Sequence, residues 1–124
     1  MPTTALVLFA HGSRDPEWAS PMRRVCARLS AQAPALRVEL AFLEFLPPNL
    51  RDTAETLVGE GFARIVVLPM FIAQGGHLKR DLPLLLDELR AQHPQTTFEQ
   101  AAALGDADSI VQAIAAHVLA LAVG

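Results

Sequence analysis

The stretch Leu6-Val7-Leu8-Phe9-Ala10-His11-Gly12-Ser13-Arg14 is an apolar, β-type run that stops on a histidine followed by a glycine. A strand apolar at every position is expected to be buried on both faces, as in a parallel sheet covered by helices. His11 then falls just past the carboxyl end of that strand, where open α/β sheets hold their ligands. Gly12 and Ser13 fit a tight turn into the next helix. An imidazole placed there points to chemistry rather than to packing.

Outward from this run, short β-type segments alternate with amphipathic ones. The strand candidates are 4–10, 37–43, 64–69 and 97–101. Between them the apolar spacing changes to three and four, the signature of a helix with one core-facing stripe. Four such stripes are Met22-Val25-Cys26-Leu29-Ala33, Leu50-Ala54-Leu57-Val58, Leu82-Leu85-Leu86-Leu89 and Ile110-Ile114-Val118-Leu121. Boundary residues agree with this division. Ser20 before Pro21 fits an N-cap and first helical position, with an alternative start nearer Glu17 and a kink at the proline. Pro47-Pro48 stops the second strand and opens the second helix, Gly61 ends that helix, and Pro94 follows the third. Asp106 or Asp108 can cap the fourth. The pattern βαβαβαβα with right-handed crossovers predicts one three-layer α/β domain over residues 1–124: a four-stranded parallel sheet, order 2-1-3-4, with helices on both faces.

Composition narrows the function. A chain of 124 residues with 52% hydrophobic and 19% charged residues suits a single globular core. No apolar run is long enough for a membrane span, and the N-terminal Met-Pro-Thr-Thr lacks the basic region of a signal peptide, so a cytoplasmic location is expected. A net charge of −3 argues against nucleic acid as the main partner. The lone cysteine, Cys26, can form neither an internal disulfide nor a thiolate cluster, and its place on an apolar stripe makes it a small core residue. There is no G-x-S-x-G elbow, P-loop or G-x-G-x-x-G. Histidine phosphatases also place His-Gly after a strand, but they carry an arginine before the histidine where this chain has Ala10.

Three polar residues fall at or beyond strand ends on one edge of the expected sheet: His11, Glu44 after Phe42-Leu43, and His77 in the loop that follows the third strand. Parallel strands share a direction, so all three can meet in one crevice. Two imidazoles and a carboxylate suit a borderline divalent metal, and they also exchange protons near neutral pH. Each residue alone has a structural alternative: His11 bonded to backbone, Glu44 exposed in a turn, His77 capping the third helix. Their common edge favours the functional reading. Arg14, Lys79 and Arg80 add positive charge there and can dock an acidic ligand, or else are a solvated helix start. His93 precedes Pro94 at a helix end, and His117 is expected at or near the surface. Trp18 is expected to pack beside the first loop.

Taken in order, Val7-Leu8-Phe9-Ala10-His11-Gly12-Ser13-Arg14, Ala41-Phe42-Leu43-Glu44 and Val67-Leu68-Pro69-Met70-Phe71 leading to Gly75-Gly76-His77-Leu78-Lys79-Arg80-Asp81-Leu82-Pro83 resemble the small sirohydrochlorin chelatases of the class II chelatase superfamily. The resemblance covers nearly the whole chain. It implies insertion of Co²⁺, or Ni²⁺ or Fe²⁺, into sirohydrochlorin, a macrocycle with eight carboxylates, on routes to cobalamin, a nickel cofactor or sirohaem. By resemblance His11 and His77 bind the metal and accept protons, Glu44 is their acidic partner, and Ser13, Arg14, Lys79 and Arg80 bind the substrate's periphery. An apolar floor from Phe9, Phe42, Phe71 or Trp18 would face the ring. The metal is a substrate, and no permanently bound cofactor is implied. The short forms of the family resemble homodimers with the macrocycle between subunits. No histidine-rich tail is present, and Gln74-Gly75-Gly76 makes a permissive loop. The alternative activity is a non-catalytic carrier of metal or tetrapyrrole.

Overall fold

The computed structural model describes residues 4–72 and 75–123, the His77 side chain excepted. Four parallel strands, β1 (Thr4–Ala10), β2 (Arg37–Phe42), β3 (Arg64–Pro69) and β4 (Thr97–Gln100), form a sheet of order β2-β1-β3-β4. The helices are α1 (Ser20–Gln32), α2 (Leu50–Gly59), α3 (Gly76–Gln92) and α4 (Asp108–Val123), with 3-10 turns at Pro16–Ala19 and Leu104–Asp106. This is the expected fold class and strand order. No helix among the described residues is long and apolar enough to cross a membrane.

Alternation along the strands divides the core in two. Ala5, Val7, Phe9, Ile65 and Val67 point to one face and are sealed by Leu50, Ala54 and Leu57 of α2 and Leu78, Leu82, Leu86 and Leu89 of α3. Each large aliphatic side chain buried there stabilises the fold by roughly 1.5–3 kcal/mol. On the opposite face only Ala10, Ala19 and Phe42 form a buried cluster, flanked by half-buried Met22 of α1, Leu40, Leu46 and Met70.

Several local expectations are corrected. Ser20 is the first residue of α1 rather than its cap, because the Pro16–Ala19 turn runs straight into the helix; the side-chain cap moves to Asp15, which accepts from the Glu17 N–H. Asn49, not the proline pair, opens α2 by accepting from the Asp52 N–H at 2.8 Å. Gly61 follows α2 with φ +94°, the left-handed conformation that glycine adopts without strain. β2 and β4 each end one residue early, although Leu43 and Ala101 still donate to the neighbouring strand through their N–H groups. The stripe of α1 is only half-buried, with Val25 exposed. The stripe of α4 is not core at all: no residue of α4 is buried, and its principal neighbour is the 3-10 turn before it. Cys26 is half-buried rather than core, and its thiol is pushed up by burial and by the nearby Glu39 carboxylate, with Arg23 opposing.

Candidate metal and proton-transfer site

The exit of β1 is built by backbone pairing that outlasts the strands. Leu43 N–H donates to Ala10 O at 2.9 Å and Glu44 N–H donates to His11 O at 3.1 Å, so His11 and Glu44 are held side by side. Gly12 makes this approach possible. It has φ +101°, and a Cβ there would lie 1.8 Å from the Glu44 carbonyl oxygen. Beyond Glu44 the chain reverses through Phe45, at φ 70°, and Leu46 N–H closes the turn onto Glu44 O at 2.9 Å. Phe42 N–H donates to Pro48 O, at 2.9 Å, which ties the far end of the same lobe. The segment 44–48 is therefore a fixed corner rather than a free loop.

On this corner His11 Nε2 lies 3.4 Å from Glu44 Oε1, with the side chains 54% and 49% exposed. A carboxylate at that range orients an imidazole and can take up its proton, while both remain open to an incoming ion. Phe71, just past β3, sets its ring edge-on against His11 with centroids 6.3 Å apart, and packs edge-on against buried Phe9 in turn. Phe71 is itself held through its carbonyl, which accepts the Gly105 N–H at 3.0 Å. Gly105 is a contributor that the sequence reading missed: a Cβ there would lie 1.5 Å from Ile72 O, so only glycine lets the Leu104–Asp106 turn press on the exit of β3. Its sequence signal was one glycine before a helix.

The first turn of α3 begins at Gly76, so His77 lies in the helix rather than in the expected loop; its side chain, like Gln74, is outside the described residues. The amino end of α3 follows β3 and shares the carboxyl edge of the sheet with His11. Lys79 and Arg80 are exposed in that first turn. Arg14 is exposed on the other side of His11, with its guanidinium 4.9 Å above the Phe45 ring. Ser13 Oγ accepts the Asp15 N–H at 3.1 Å, which leaves its own proton for an outside acceptor. Of the expected apolar floor, Phe9 and Phe42 are buried and cannot face a ligand, whereas Phe71 is half-buried against His11 and Trp18 is exposed. Phe45, 53% exposed, is the aromatic that the sequence reading overlooked.

Among the described residues no group of three or more His, Cys, Asp or Glu is placed to hold a metal. His11 and Glu44 thus form an open pair, suited to an ion that is passed on rather than kept. A cavity of about 500 Å³ lined by Gly61, Phe62, His93 and Thr96 lies at the opposite, amino-terminal edge. His93 there caps α3 with its N–H on Leu89 O, and its Nε2 is buried without a partner, not presented as the expected solvated helix-end cation. His117 is exposed on α4.

The CbiX family profile matches residues 5–120. Among curated relatives, a sirohydrochlorin cobaltochelatase of Saccharolobus islandicus is 38% identical over 92 residues, covering 71% of this chain and 70% of that one. A sirohydrochlorin cobaltochelatase of Methanococcus aeolicus is 35% identical over 82 residues, 66% of this chain, and the match spans 57% of that protein's length. The crystal structure of a CbiX protein from Marinobacter aquaeolei VT8 superposes with TM-score 0.80 at 27% identity, covering 93% of each chain. The matched region starts in β1, ends in α4 and takes in His11, Glu44 and His77 on the way, and on that extent the chain belongs to the CbiX family.

Proposed function

We propose that this chain is a sirohydrochlorin metal chelatase, working on Co²⁺ and, less readily, on Ni²⁺ or Fe²⁺. The observation that carries the reading is His11 Nε2 beside Glu44 Oε1, both open to solvent at the carboxyl edge of the sheet. The activity of the curated relatives supports the substrate.

Metal insertion has to strip water from the ion, bring it to the ring and remove two pyrrole protons. His11 and His77 would hold the ion through neutral imidazole, a donor that binds such ions yet gives them up more easily than a closed thiolate set. As each pyrrole N–H gives way to a nitrogen–metal bond, an imidazole receives the proton and Glu44 stabilises the resulting cation or takes the proton onward. Arg14, Lys79, Arg80 and the Ser13 hydroxyl would pair with carboxylates at the ring's edge. Phe71, Phe45 and Trp18 offer apolar surface to the ring itself. No bound cofactor enters; the metal is consumed. We place the enzyme in the cytoplasm, with one domain per chain and two chains per active unit.

Anaerobic incubation with sirohydrochlorin and Co²⁺, followed by absorbance, tests the proposal. Turnover beyond one equivalent that is lost in His11→Ala and His77→Ala is expected. Stoichiometric binding without turnover would favour a carrier instead.

A further inference from the structure

The helix α4 has no Asp, Glu, Lys or Arg from Ser109 to Val123, and it exposes Val118, Leu119 and Leu121 by 57%, 67% and 70%. A helix that is hydrophobic all round belongs inside something. The sheet has a gap of matching character. On the α1 face, Leu6, Val66 and Leu68 are only half-buried and belong to neither buried cluster, because α1 covers the β2 side and nothing described lies over β3. One chain thus carries both an uncovered apolar strip and an apolar helix with no seat.

We propose that α4 of one copy lies across the Leu6-Val66-Leu68 strip of a second copy, which returns its own α4 in exchange. The start of α4 is fixed away from its own sheet face. Ala103 is buried, Gly105 is pinned to Phe71 O and Ile72 O, and the Val111 N–H already bonds Ala107 O in the first turn. A lipid surface fits poorly, since an interfacial helix needs a basic face that α4 lacks. A second copy fits the size of the patch. A helix about 24 Å long and about 10 Å wide, counted on both surfaces of two exchanged contacts, covers on the order of 1,000 Å², the threshold for a specific interface. The exchange is isologous, with the same two patches used by each chain. It rests on the homodimer proposed above and gives that dimer a defined seam.

The test combines sedimentation equilibrium with cross-linking. In the full chain, Val118→Glu with Leu121→Glu should weaken self-association more than about 100-fold while leaving the far-UV spectrum of the fold intact; a dimer that persists overturns the inference. A Cys26→Ala chain carrying Leu68→Cys and Val118→Cys, treated with a short bismaleimide, should give a covalent dimer. A linked monomer would mean that α4 folds back on its own sheet, and an unlinked dimer would mean a different seam; either overturns the exchange. A wild-type chain that stays monomeric overturns exchange and homodimer together, and turnover measured on that same sample judges the chelatase reading separately.

Discussion

The two faces of the sheet are not equally finished. Against α2 and α3, successive Leu, Ile, Val and Phe side chains are fully enclosed. Against α1 the buried set shrinks to Ala10, Ala19 and Phe42, while Leu6, Val66 and Leu68 lie half-open and α4 stands clear. One face is complete within the chain; the other is complete only toward the carboxyl edge, where Ala10 and Phe42 underlie the His11–Glu44 corner. Folding stability is therefore concentrated on the α2–α3 side, and the remainder of the α1 side is available for assembly.

The largest effect that sharpens this contrast is Leu86→Ala, which removes a fully buried side chain from the closed face. It should cost about 2–5 kcal/mol in urea unfolding. Gly12→Ala comes next. Its φ alone should cost about 1–3 kcal/mol, and the clash with Glu44 O would push the corner apart, so chelatase turnover should fall along with stability. Glu44→Gln keeps the fold and should lower turnover about 10–100-fold with an altered pH profile, read by the absorbance assay. On the open face, Val118→Ala should change the unfolding free energy of a monomeric chain by less than about 0.5 kcal/mol; a loss as large as that of Leu86→Ala would break the comparison.

The smallest effect belongs to Arg64, which donates from Nε and Nη2 to Glu99 at 2.8 and 2.7 Å across β3 and β4. These hydrogen bonds hold the Glu99 carboxyl below its ordinary range. A carboxylate whose pKa is lowered by folding contributes stability above its unfolded pKa and loses it as pH falls through the folded one. Thermal melts of wild type and Arg64→Ala should therefore differ slightly at neutral pH and converge in acid. The effect is small because the pair is exposed.

Much of this was legible in the residues. The unbroken apolar β1 run, the turn residues and the stripes of α2 and α3 specify a parallel sheet with buried strands, because period and punctuation act locally. His11 and Glu44 were legible as neighbours because parallel register carries two strand exits to one edge. What stayed hidden depends on backbone contact between distant segments. Gly12 against Glu44 and Gly105 against Ile72 are close approaches that no periodicity encodes, and exposed Phe45 occupies a left-handed turn that its residue type does not advertise. The stripe of α4 misled for a different reason. An apolar period states that a helix will be covered, but not by which chain.

The most direct measurement is anomalous X-ray scattering from crystals soaked in Co²⁺. The account predicts one ion bound by the imidazoles of both His11 and His77, next to Glu44. An ion seated elsewhere, or two imidazoles facing apart with none between them, would contradict it.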